Sequence, residues 1–290
     1  MVEQIATAGP VAPELHLRRD DLADIELQLL LDALQRYGAV DFRCVSPTVL
    51  RRRVADAMRS EGVATISGLL ERLLHDEQAF ASFVISIKAA TSQPFADPAF
   101  FRAFLANVVP LLRTYAFIRV WVPGAGPGAD AYALAALLDE AGLLSRTILY
   151  ATFINDPSVA IAKAGSYKHA GRSNVEASAR AAGLEAPLSR YFELDDEFAT
   201  PKDGLRESVM FARHNPASDA SINEFHAIVA RGFLPLLNGV AQFRLHALLY
   251  ESLMHLGFLG LGTGEGVAHS AHESAFRQVV NDQPIFRRLH

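Results

Sequence analysis

Apolar positions recur at helical spacing through the first third of the chain, then give way to short apolar runs that alternate with helices. Ile25, Leu29 and Leu30, extended by Leu34, predict a helix that Gly38 ends. Ser46 followed by Pro47 predicts an N-cap and first turn, opening a helix whose stripe is Leu50, Val54, Ala57 and Met58. Leu69, Leu70, Leu73 and Leu74 mark a third helix. A fourth starts near Asp76 and carries Phe80, Phe83, Val84 and Ile87. Residues 1–23 mix Ala, Pro, Gly and charges without periodicity and read as a flexible tail, so residues 24–90 form a small helical unit.

From residue 91 the pattern changes. Asp97 and Pro98 cap a helix with Phe100, Phe101, Phe104 and Leu105 inward. Apolar runs at 118–122, 148–152, 209–212, 227–230 and 258–261 predict buried strands. Helices are predicted over 130–141, ended by Gly142, over 157–164 and over 240–254. Strand alternating with helix predicts an α/β fold with a mostly parallel, doubly wound sheet over 91–290. Residues 167–205 are polar and weakly periodic, as an insertion between sheet elements would be.

Composition narrows the function classes. With 290 residues, 50% of them hydrophobic and 20% charged, the chain can bury a sizeable core, which excludes wholesale disorder. A net charge of -5 gives no basic excess and argues against nucleic acid as a partner. The single cysteine, Cys44, excludes an internal disulfide and any multi-cysteine metal site, which fits a reducing, cytoplasmic setting. Residues 1–13 lack the pattern of a signal peptide, and no apolar stretch reaches the ~20 residues that membrane insertion needs.

The clearest candidate site is the turn Gly124-Ala-Gly126-Pro-Gly128 between a predicted strand and helix. Glycines there let backbone approach a ligand at the carboxyl edge of a sheet. The spacing is neither the dinucleotide fingerprint nor a P-loop, so it locates a crevice without naming its ligand. His269, His272 and Glu273 read as a charged loop rather than metal ligands, and His246 and His255 as structural or surface groups. Cys44 has no histidine nearby in sequence, Trp121 reads as core, and Glu193, Asp195, Asp196 and Glu197 as a solvated face. Arg51, Arg52, Arg53 and Arg59 are the one notable basic feature, with Arg52 and Arg59 on one helical face that reads equally as a solvated surface or as a docking surface.

Several segments together carry a family resemblance: Tyr37-Gly-Ala-Val-Asp-Phe42, Asp97-Pro-Ala-Phe-Phe101, Ile118-Arg-Val-Trp121, Glu140-Ala-Gly-Leu-Leu144, Ala212-Arg-His-Asn215 and Gly257-Phe-Leu-Gly-Leu-Gly262. The chain resembles the CheR-type methyltransferases, which move a methyl group from S-adenosylmethionine to receptor glutamates in bacterial chemosensory systems. The resemblance implies a small all-helical N-domain and a Rossmann-like methyltransferase domain with a small inserted β-subdomain. It also implies a pocket around Ala96, Gly124, Gly126, Gly128, Ala129, Phe153, Asn215 and Gly232, and an arginine helix that docks on acidic receptor helices.

The departures fall at that pocket. The family's cofactor-facing arginine is Ala96 here, its first glutamate after the glycine turn is Ala129, the acid closing the second strand is Phe153, and an asparagine is Gly232. A hydrogen bond to a charged group contributes about 1.5–3 kcal/mol, so losing two or three weakens binding about a thousandfold to ten-thousandfold. The expectation is a CheR-like protein without methyl transfer, binding S-adenosylmethionine or S-adenosylhomocysteine weakly or not at all. Two other readings stay open: an active glutamate methyltransferase with a rearranged site, and a receptor for another ligand such as a nucleotide.

Overall fold

The computed structural model describes residues 19–38, 42–43, 45–88, 93–124, 127–153, 156–214, 219–222, 224–268 and 270–290. Four helices come first: α1 (Arg19–Gly38), α2 (Pro47–Glu61), α3 (Ile66–His75) and α4 (Glu77–Lys88). Pro47 occupies the first turn of α2 as expected, but Ser46 makes no side-chain cap bond. Thr65 caps α3 through Gly68, and Asp76 caps α4 by accepting from the N–H groups of Gln78 and Ala79.

The first helix departs from its reading in two ways. It begins at Arg19, so residues 19–23 belong to a helix and not to a tail, with neither proline nor glycine there to stop it. Its buried stripe is Leu27, Leu30, Leu31 and Leu34, while Ile25 and Leu29 point outward. The helix is apolar on two sides, and spacing alone joined residues that belong to different faces.

The sheet region then runs α5 (Pro98–Asn107), α6 (Val109–Leu112), β1 (Ile118–Pro123), α7 (Ala129–Glu140), β2 (Thr147–Phe153) and α8 (Asp156–Ala164). After it come β3 (Tyr167–Lys168), α9 (Arg172–Ala181), β4 (Phe192–Leu194), β5 (Phe198–Pro201) and α10 (Asp203–Glu207). The remainder is β6 (Val209–Arg213), β7 (Phe225–Ala230), α11 (Gly239–Ser252), β8 (Leu253–Leu261), β9 (Phe276–Val280) and β10 (Gln283–Arg288). Helix α11 stops two residues short of its predicted end because Leu253 is already extended, which puts Met254 and His255 in β8.

Seven strands lie in the order β6-β2-β1-β7-β8-β10-β9, and β3-β5-β4 make a separate small sheet. The first five of the seven are parallel; β10 runs antiparallel between β8 and β9. This is the Rossmann-like methyltransferase architecture, preceded by an all-helical unit. Alternation along β1 sends Val120 and Val122 to the face covered by α7, and Trp121 to the face covered by α11. The indole N–H of Trp121 donates to Thr152 Oγ1 at 2.8 Å, and its ring stacks on Phe225. The helical unit is tied to the sheet region by a bridge between Val45 and Leu237 and by the Asn238 amide donating to Arg43 O.

Candidate functional site

The strand order reverses between β1 and β7, and open α/β sheets bind ligands just outside the carboxyl ends of strands at such a point. Gly124 follows β1 there, Phe153 ends β2 and Arg231 follows β7. Gly128 caps α7 with φ +85, a left-handed conformation that suits glycine. Gly126 and Asn215 lie outside the described residues.

Phe153 fills this crevice. It is 2% exposed, stacked on Phe211 at 6.1 Å, and lies against Gly124 and Gly128. A β-carbon on Gly128 would touch the ring at 3.4 Å. About 10 Å³ remains among Gly124, Gly128, Ala129, Asp130, Phe153 and Arg231, room for roughly one water. Small-molecule pockets start at about 300 Å³. Among the described residues, the Phe153 ring therefore leaves no small-molecule space beside Gly124 and Gly128, where the resemblance puts S-adenosylmethionine.

Arg231 closes the crevice from the other side and was not read from the sequence. Its side chain is 3% exposed and bridges Asp130 Oδ1 at 3.0 Å and Asp97 Oδ2 at 3.1 Å. Its guanidinium lies over Phe100, 4.5 Å from the ring centroid. Asp97 also caps α5 and accepts from Thr263 Oγ1 at 3.0 Å. Asp130, adjacent to the substituted Ala129, is therefore a partner of Arg231. Burial raises the Asp130 carboxyl above its ordinary range, and the Arg231 charge only partly opposes this. Glu265, likewise raised by burial, accepts from the N–H groups of Gly232 and Leu234 at 2.9 Å and from that of Gly262. The signal available in the sequence was Arg231 itself, a cation directly after an all-apolar strand end.

Beyond Arg231 lies an open pocket of about 450 Å³, with Ala96, Asp97, Gly232, Thr263 and Glu265 among its walls. The predicted site residues are thus divided. Gly124, Gly128, Ala129 and Phe153 line the closed crevice, Ala96 and Gly232 the open pocket, and Arg231 is the wall between them. The turn presenting Ala96 is strained: Phe95 has φ 60 and is fully buried against Phe101 and Phe192.

The arginine helix is less basic than its sequence. Arg51 pairs with Asp24 at 2.5 Å and Arg59 with Asp56, while Arg53 is half-buried beside a cleft lined by α2, α3 and α4. Arg52 is exposed. His272 stacks on Tyr250 at 4.0 Å, and His246 and His255 each contact a backbone carbonyl. Among the described residues no three His, Cys, Asp or Glu groups come together to hold a metal, and no helix is long and apolar enough to cross a membrane. Cys44 and His269 lie outside those residues.

Residues 90–283 match the family described as "CheR methyltransferase, SAM binding domain", and residues 25–87 match "CheR methyltransferase, all-alpha domain". The chain is 38% identical over 265 residues to "Putative methyltransferase Cher3" of Pseudomonas putida, covering 91% of this chain and 97% of that protein. It is 27% identical over 247 residues to an uncharacterized 104.1 kDa protein of Rhodobacter capsulatus, matching 82% of this chain but 25% of that one. Among solved structures, the glycopeptide N-methyltransferase MtfA complexed with S-adenosylmethionine superposes with a TM-score of 0.35 at 14% identity, over 59% of this chain and 55% of that one.

Proposed function

The chain belongs to the CheR methyltransferase family, and we propose that it has given up methyl transfer and acts by binding, within a bacterial chemosensory pathway of the cytoplasm. One observation carries this reading. The aromatic ring of Phe153 occupies the crevice where the family has an acidic residue, leaving about 10 Å³. Ala96, Ala129 and Gly232 support it, since none brings a polar side chain to the positions where the family has one. On this reading S-adenosylmethionine and S-adenosylhomocysteine bind weakly or not at all. The proposed partner is an acidic helix of a receptor, met by the α2 face that carries Arg52.

Calorimetric titration with both nucleosides, alongside transfer of labelled methyl to a receptor fragment, tests the reading. It expects no saturable heat at micromolar ligand and no incorporation above a control without protein. Stoichiometric low-micromolar binding, or incorporation above the control, returns the chain to the active methyltransferases. The open pocket supports a second reading, a small-ligand receptor. The carboxylates of Asp97 and Glu265 in its wall favour a ligand other than a nucleotide phosphate.

A further inference from the structure

Helix α1 carries more aliphatic surface than its own unit buries. Leu27, Leu30, Leu31 and Leu34 complete the core of the helical unit. Leu22, Ile25 and Leu29 form a second stripe at spacings of three and four, and they are 49%, 46% and 55% exposed. A helix apolar on two faces ordinarily has both covered.

Charge decides what kind of surface covers the second face. Asp21, Asp24 and Asp32 are exposed along one flank of the stripe, and Glu26 lies on the other. Among the described side chains of this helix, the basic group near the stripe is Arg36, in its last turn. The Asp24 carboxylate already shares Arg51 of α2, with both side chains 54% exposed. Two copies of α1 facing each other across the stripe would oppose carboxylates with carboxylates in either direction, which disfavours self-pairing. A helix with aliphatic residues at matching spacing and Lys or Arg on its flanks meets both features at once.

We propose that the Leu22–Ile25–Leu29 face of α1 docks a basic amphipathic helix of another protein. This surface shares no residue with the crevice or the open pocket. It is also opposite in sign to the α2 arginines, so the two helices would select different partners.

The test is a selection with the full chain against a displayed library of 18-residue helix-forming peptides, counter-selected with the Leu22→Gln, Ile25→Gln, Leu29→Gln variant. These side chains are half exposed, so the variant is expected to keep its circular dichroism and melting temperature. Enriched peptides are expected to carry aliphatics at i, i+3 and i+7 with basic flanks. A synthetic copy of one should bind the variant at least about tenfold more weakly, and bind the wild type less tightly as salt rises. Acidic or patternless winners, no enrichment, or equal binding to the variant overturns the proposal. So does a wild-type dimer in sedimentation that the variant dissolves, because a second copy would then cover the face.

Discussion

Phe153 and Gly124 are held so close that a β-carbon on the glycine would stand 2.5 Å from ring atom Cε1, and 2.6 Å from the carbonyl oxygen of Thr152. The glycine is therefore required by the chain's own packing. Gly124→Ala is expected to destabilise by about 1–3 kcal/mol in urea unfolding. In a Phe153→Ala background the cost of Gly124→Ala should shrink only in part, because the Thr152 carbonyl is backbone and cannot move aside. A cost that vanishes in that background would mean that the ring alone demands the glycine.

Removing the ring should reopen the crevice. Phe153→Asp restores an acid at the end of β2, and Ala96→Arg adds a cation in the neighbouring pocket. Each charge-assisted contact adds about 1.5–3 kcal/mol, so the pair of changes should tighten S-adenosylmethionine at least about tenfold in calorimetry. Unchanged affinity in a folded variant would show that the ring is not what excludes the cofactor.

Arg231→Ala strands the Asp130 carboxylate, whose side chain is 8% exposed. Breaking a buried pair by removing one partner costs about 3–5 kcal/mol, and this change also strips the cation from Phe100. Arg231→Lys keeps a charge but not the fork that spans two carboxylates, so a smaller loss is expected. Urea midpoints rank the three proteins.

Asp130 also predicts a pH signature. Its carboxyl titrates above the ordinary 3.8 when folded, so between those two values the folded state holds more protons than the unfolded state. Stability contributed at this position is full below pH 3.8 and falls as pH rises through the folded value. Asp130→Asn can still accept from Arg231 without titrating. The wild type should lose ground to this variant as pH rises from about 4 toward neutrality, read from melting temperatures. A constant difference would place the Asp130 carboxyl at its ordinary value.

Arg52→Glu with Arg59→Glu should leave folding intact, since both side chains are exposed, and should weaken capture of an acidic helical peptide from a receptor. Rising salt should weaken the wild-type interaction as well. Arg59 is already paired with Asp56, so most of the effect is expected from Arg52, and the single variants separate the two. Equal capture by wild type and double variant would leave α2 a solvated surface.

Much of this fold was legible because strand and helix periods differ, and because β1, β2 and β7 are apolar enough to be read without a partner. The site was half legible. Gly124, Gly128 and Phe153 announce themselves by a local turn and by departure from a family pattern. Arg231, Thr263 and Glu265 do not, because their roles come from partners far away in sequence; Arg231 meets Asp97 across 134 positions. The two faces of α1 failed for a different reason. Leucines at 27, 29, 30 and 31 satisfy more than one stripe, and only packing decides which one turns inward.

The place of β10 has a consequence for biosynthesis. Residues 283–288 are inserted between β8 and β9, so when the ribosome has released β8 its outer edge still lacks a hydrogen-bonding neighbour. The five parallel strands can form first, but they then carry a naked edge, the template on which nascent chains pair with one another. A chain cut short before residue 283 would therefore be a substrate for chaperones or an aggregate, rather than a slightly smaller folded protein.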